Sequence, residues 1–89
     1  MITMFVRHTV SDYANWKKGY DAFDSKRKEL GVTAQATYQS TTDPKDVTLT
    51  HTFSTIEAAK AFASSVELKD AMKQAGVVGE PSIWFTNQN

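Results

Sequence analysis

The sequence predicts an α+β domain: a four-stranded antiparallel sheet with two helices on one face. Three observations carry this expectation. Four stretches alternate in the period of a strand. Two others place apolar residues at spacings of three and four, the period of a helix. Their order is β-α-β-β-α-β, and right-handed crossovers in that order put both helices on the same side of the sheet.

In the first strand Ile2, Met4, Val6, His8 and Val10 point one way and Thr3, Phe5, Arg7 and Thr9 the other. Ser11-Asp12 offers side-chain oxygens to the free amides of a first helical turn. Tyr13, Trp16, Tyr20, Phe23, Arg27 and Leu30 follow as one face of a helix of about five turns. Gly31 is its expected stop. Val32 to Gln39 alternates again, with Ala34, Ala36 and Tyr38 on one side and Thr33, Gln35, Thr37 and Gln39 on the other. Asp43-Pro44 then makes a turn, so Ser40 to Asp46 is a hairpin connection. Val47, Leu49, His51 and Phe53 share one side of the third strand, and Thr48, Thr50 and Thr52 the other. A second helix opens near Ser54-Thr55, where Glu57 follows Ser54 at capping-box spacing. Ala58, Ala59, Phe62, Ala63 and Val66 form its buried face. Ser64 and Glu67 repeat that spacing and predict a kink or restart; Gly76 ends the second half. Glu80-Pro81 leads into a last strand, Ser82 to Thr86. The layout is ferredoxin-like, with the first and third strands as central neighbours and the fourth beside the first.

Eighty-nine residues make a single domain, 1–89, with no linker or repeat. The 40% hydrophobic and 22% charged composition is that of a soluble globular chain. A chain this short hides only roughly 60–65% of its unfolded surface. Without cysteine it has no disulfide or thiolate site to compensate. Covering a sheet face with a second copy is the obvious remedy, so a homodimer is expected.

Ten basic and ten acidic residues cancel, whereas nucleic-acid binders show a basic excess or stripe. Thr48, Thr50 and Thr52 also stand where an RNA-recognition sheet carries stacking aromatics. No apolar run approaches the roughly 20 residues of a membrane span. The start Met1 to Val6 lacks the pattern of a signal peptide. No nucleic acid and no membrane is therefore expected as a partner, and the expected location is the cytoplasm. Two histidines without carboxylates at ligand spacing fall short of a metal site. No glycine-rich phosphate loop is present either. Neither metal nor cofactor is expected.

The helix-covered face should carry Ile2, Met4, Val6, Leu49, Phe53, Ile83 and Phe85. The open face should carry Thr3, Phe5, Arg7, Thr33, Gln35, Thr48, Thr50, Thr52 and Trp84. Threonines suit a half-exposed sheet, but Phe5 and Trp84 mark a partner surface. A homodimer through Phe5, Arg7, Thr50 and Trp84 is the expectation, with Arg7 pairing across it or reaching water near Gln35 or Thr50.

His8 and His51 fall on the helix-facing side of neighbouring central strands. If Val47, Leu49 or His51 lies opposite His8, the histidines stand roughly 13, 7 or 5 Å apart. The closer registers would bracket one small ligand. In an apolar pocket an imidazole stays neutral and can act as a base toward an acidic C–H or O–H. Tyr13, Trp16, Tyr20 and Phe23 would wall such a pocket, Ala34 and Ala36 would leave it room, and Tyr38 or a helix tyrosine would donate to a developing enolate or phenolate. The plainer alternative is a pair of structural histidines under an ordinary amphipathic helix.

The chain resembles the dimeric α+β-barrel superfamily, in particular small bacterial proteins of antibiotic-biosynthesis-monooxygenase-like or cyclase-like type. The resemblance spans essentially all 89 residues. It rests on the topology, the strand with His8, Tyr13-Ala14-Asn15-Trp16-Lys17, His51-Thr52-Phe53, Glu57-Ala58-Ala59-Lys60-Ala61-Phe62 and Glu67-Leu68-Lys69-Asp70-Ala71-Met72. It implies a pocket between helices and sheet, where His8, His51, Tyr13, Trp16 and Tyr38 would fall. It also implies cofactor-independent monooxygenase or cyclase chemistry on a small aromatic or polyketide-like molecule. His51, His8 and Tyr13 are then the catalytic candidates, and Trp16, Tyr20, Phe23 and Tyr38 the substrate-binding ones. The haem-degrading branch has an asparagine on the first strand and a tryptophan in the second helix; this chain has neither. The competing expectation is a non-catalytic homodimeric module that binds a small hydrophobic ligand or serves a structural role.

Overall fold

In the computed structural model, which describes residues 1–89, the chain runs β1 (Ile2–Val10), α1 (Tyr13–Ala22), α2 (Asp24–Glu29), β2 (Ala34–Gln39), β3 (Asp46–Phe53), α3 (Ile56–Ala63), α4 (Val66–Gln74) and β4 (Val77–Asn87). The strands form one antiparallel sheet in the order β2-β3-β1-β4. This is the predicted ferredoxin-like α+β layout, with each predicted helix delivered as a pair. No helix is long and apolar enough to cross a membrane.

The core is built where the helices cover the two central strands. Met4, Val6 and Val10 of β1 and Val47, Leu49 and Phe53 of β3 are buried against Trp16, Ala59, Phe62 and Leu68. Phe53 and Phe62 meet with centroids 5.4 Å apart. Each fully buried aromatic or aliphatic side chain contributes about 1.5–3 kcal/mol relative to exposure.

The first helix breaks at Phe23, whose ψ of −1° departs from helical values. The cause lies one turn on: Arg27 folds back and donates from Nη1 to the Tyr20 carbonyl at 2.6 Å. A side chain inserted against the backbone ladder is a usual source of such a kink. The second break falls where a restart was expected, but the caps sit one residue later than the capping-box spacing suggests. Thr55 accepts from the Ala58 amide at 3.2 Å, and Ser65 from the Leu68 amide at 3.2 Å. Ser64 instead donates to the Lys60 carbonyl at 3.0 Å.

Two expectations about the sheet are corrected. Strand β2 is turned over: Ala34, Ala36 and Tyr38 lie opposite Thr52, Thr50 and Thr48, on the open face, while Gln35 lies opposite His51 beneath the helices. The alternation in β2 is small against polar, so its period is visible but hydrophobicity does not choose a side. Strand β4 begins at Val77 rather than Ser82, because Val77 and Val78 pair with Val10 and Thr9 beyond a bulge opposite His8. Gly79 and Pro81 occupy that bulge in an edge strand, where an unusual φ and a missing amide are tolerated. Arg7 reaches water as expected, with 62% of its side chain exposed, and also grips Asp46 of its own chain through Nε and Nη2 at 3.0 and 2.7 Å.

Candidate functional site

Helices α1, α2 and α4 do not close completely onto the sheet. They leave a cavity of about 40 Å³. Its floor is Val6 and His8 of β1 with Leu49 and His51 of β3; one wall is Trp16, Gly19, Tyr20, Phe23 and Arg27; the other is Leu68, Ala71 and Met72, with Ala75 following α4. One water needs about 10–15 Å³ of such space, so roughly three or four waters fit, whereas organic-ligand pockets run to about 300–1,000 Å³.

The polar atoms on this lining are its most informative feature. Neither nitrogen of His8, nor Nδ1 of His51, nor the Tyr20 hydroxyl has a hydrogen-bond partner, although all are buried. Buried polar atoms are normally paired, and leaving one unpaired costs about 1–3 kcal/mol. The four atoms belong to three residues that line one cavity, so water or a bound molecule there would meet polar partners. Burial holds the His8 imidazole below its ordinary pKa. It lowers that of His51 to about 4, with the Arg27 charge adding to the effect. Burial pushes the Tyr20 phenol upward, against the opposing pull of Arg27 and Lys17. At neutral pH the cavity therefore offers two neutral imidazoles and a neutral phenol.

Arg27 is the residue that sequence reasoning left out of the site. Its guanidinium is buried, with only 3% of the side chain exposed. It lies 3.7 Å over the Tyr20 ring, and its Nε donates to Gln35 Oε1 at 2.7 Å. Gln35 Nε2 in turn donates to Asp24 Oδ1 at 2.8 Å, and Arg27 Nη2 reaches the same oxygen at 3.4 Å. The available signal was a cation on an otherwise apolar helical stripe.

The structure brings together His8, His51, Trp16, Tyr20 and Phe23 among the expected site residues. His8 lies opposite Val47 and His51 opposite Met4, the longest of the three registers, so the imidazoles sit at opposite ends of the cavity floor. At one end His8 meets the Trp16 edge at 5.7 Å; at the other His51 meets Phe62 at 5.2 Å. Tyr13 is not on the lining: it packs outside Trp16, with ring centroids 5.7 Å apart. Tyr38 is on the open face and 58% exposed. Tyr20, two turns after Tyr13 on the same stripe, supplies the hydroxyl instead.

On the opposite face Phe5 and Trp84 lie on paired positions and stack, with centroids 5.4 Å apart and planes 8° from parallel. Trp84 remains 43% exposed. Thr50 lies directly opposite Phe5 on the other side of β1.

Neither a family model nor a curated protein sequence matches this chain. Solved structures do. A candidate antibiotic biosynthesis monooxygenase of Bordetella bronchiseptica superposes with a TM-score of 0.85 at 16% identity, covering 99% of this chain and 96% of its own. A counterpart from Nitrosomonas europaea gives 0.77 at 15% identity, covering 99% and 98%. SnoaB of Streptomyces nogalater, described as a cofactor-independent oxygenase, gives 0.76 at 11% identity, covering 99% and 94%. Across its whole length, the chain has the ferredoxin-like fold of the antibiotic biosynthesis monooxygenase-like proteins.

Proposed function

We propose that this protein is a cofactor-independent enzyme of the monooxygenase or cyclase type, acting on a small aromatic or polyketide-like molecule for which the cavity between helices and sheet widens on binding. The observation that carries the reading is His51: a neutral, buried imidazole with an unpartnered Nδ1, lining one cavity with a guanidinium and an unpartnered phenol. A base so placed takes a proton from a C–H made acidic by a neighbouring carbonyl. The electron pair moves onto the carbonyl oxygen, and the positive charge of Arg27 with the Tyr20 hydroxyl stabilises it in a water-poor space. Although the low pKa of the resting imidazole makes it a weak base, the enolate formed beside it stabilises the imidazolium. In a monooxygenase the carbanion then meets O2, and one CH2 and one O2 become one carbonyl and one water. In a cyclase it attacks a second carbonyl of the same molecule. The fold shared with a cofactor-independent oxygenase supports this class. His8 serves the far end of the floor, and the stacked Phe5–Trp84 face supports a homodimer.

The test is proton abstraction itself. Deuterium exchange into an enolisable aromatic ketone such as 2-tetralone, followed by NMR in D2O, should be accelerated by the wild type and not by His51→Gln of unchanged fold. Equal acceleration by both proteins removes His51 as the base.

A further inference from the structure

The cavity does not end at its own walls. Outside it, between α1 and α4, lies a groove of about 450 Å³ bordered by Asn15, Lys18, Ala22 and Gln74. Gly19, Phe23, Ala71 and Ala75 border both spaces, so these four residues are the partition between them. It is a thin one. A Cβ placed on Gly19 would stand 3.0 Å from the Ala75 Cβ, which means that the helices meet here with almost no side chain between them. Sliding this contact apart joins an inner space of about 40 Å³ to an outer one of organic-ligand size.

The charges along this path have one sign. The chain as a whole carries ten acidic and ten basic residues. The joined lining nevertheless has Arg27 inside and Lys18 outside, and no carboxylate in either space. Asp24, behind Arg27, does not cancel it, because the same carboxylate also faces Lys28 at 3.3 Å. One negative charge is thus shared by two cations. A buried guanidinium with spare N–H donors, and with only a shared carboxylate at 3.4 Å beside it, favours a planar oxyanion.

We infer that the ligand is an organic anion, threaded between α1 and α4 with its oxyanion against Arg27 and its apolar body past Gly19 in the outer groove. The inference rests on the proposed site for its cavity, and it names the class of molecule that the site selects.

The test compares 2-naphthoate with its neutral counterpart 2-naphthamide, titrated into ¹⁵N-labelled protein. The carboxylate should bind at least roughly tenfold more tightly, the worth of a charge-assisted hydrogen bond. Its amide shifts should centre on Gly19, Phe23 and Ala75. The preference should survive in about 0.5 M salt, since buried pairs are screened far less than surface ones, and Arg27→Gln should level the two affinities. The inference is overturned if the amide binds as well as the carboxylate, if the preference vanishes with salt, if the shifts centre on Trp84, or if naphthoate does not bind at millimolar concentration. None of these results touches proton abstraction by His51, which the exchange assay reads separately. Should Arg27→Gln fail to fold, the wild-type comparison at low and high salt decides alone.

Discussion

His51 makes the stability of this protein depend on pH in a way that can be worked out from its surroundings. Its imidazole is 2% exposed, and burial first, then Arg27, lowers its pKa from 6.5 to about 4. Between those values the unfolded chain binds a proton at this position and the folded chain does not. Stability contributed by the neutral ring is therefore complete above pH 6.5 and is lost as the pH falls toward 4. From pH 7 to pH 5 the loss assigned to this residue is about 2 kcal/mol, out of about 3.4 kcal/mol for the full shift. His51→Met removes the titration while filling the space with an adaptable apolar side chain. Urea unfolding of wild type and variant at pH 7, 6 and 5, followed by circular dichroism, isolates the effect as a difference of differences. The contributions of His8, Asp24 and Asp46 occur in both proteins and cancel. The variant should lose about 2 kcal/mol less than the wild type between pH 7 and pH 5. Parallel losses in both proteins, or a wild type that gains stability on acidification, would refute the placement of a neutral imidazole in a buried cavity.

Two further outcomes follow from geometry alone. Gly76 closes α4 at a φ of +82°, and a Cβ there would stand 2.8 Å from Ser11 Oγ; Gly76→Ala should cost about 1–3 kcal/mol in thermal unfolding, and an unchanged melting temperature would show that the turn does not need this conformation. Trp84→Glu places a charge in the stacked pair on the open sheet face; if the proposed homodimer forms there, sedimentation equilibrium should show weaker self-association with unchanged circular dichroism, and an unchanged mass distribution would refute that interface.

The order of elements was legible because it depends on local periodicity and on the handedness of crossovers, both of which the chain displays without reference to its tertiary partners. The faces of β1 and β3 were legible for the same reason. Val6 and Leu49 against Arg7 and Thr50 differ strongly in polarity, and the burial of alternate residues along both strands follows it. The distance between the histidines was not legible. It depends on which residue lies opposite His8, and each of the three registers keeps both rings beneath the helices. Only the pairing of His8 with Val47 separates them by four residues along the sheet. In the same way, the spacing of Tyr13 and Tyr20 shows one stripe, while the tilt of α1 over the sheet decides which hydroxyl meets the cavity.

The overturned face of β2 and the overlooked Arg27 are one problem seen from two sides. A cation at 27 falls on the apolar stripe between Phe23 and Leu30, so the helix that buries Phe23 must bury or flank the guanidinium as well. A buried cation short of acceptors is costly; the helices themselves supply the Tyr20 carbonyl to Nη1 and Asp24 to Nη2, and Nε is left to find its partner on the sheet. With Ala34, Ala36 and Tyr38 underneath, β2 would offer the guanidinium no carbonyl or carboxylate oxygen from a side chain nearby. With Gln35 underneath, it offers an amide oxygen at 2.7 Å and, through the amide nitrogen, a link to Asp24. The bond to Arg27 Nε therefore favours the side of β2 that its own weak alternation leaves open. That choice sends Tyr38 to the open face, sets Gln35 opposite His51, and leaves the cavity with a fixed positive charge at its inner end. A single polar residue out of pattern on a helix thus carries information about the register of a strand and about the charge of the molecule that the site selects.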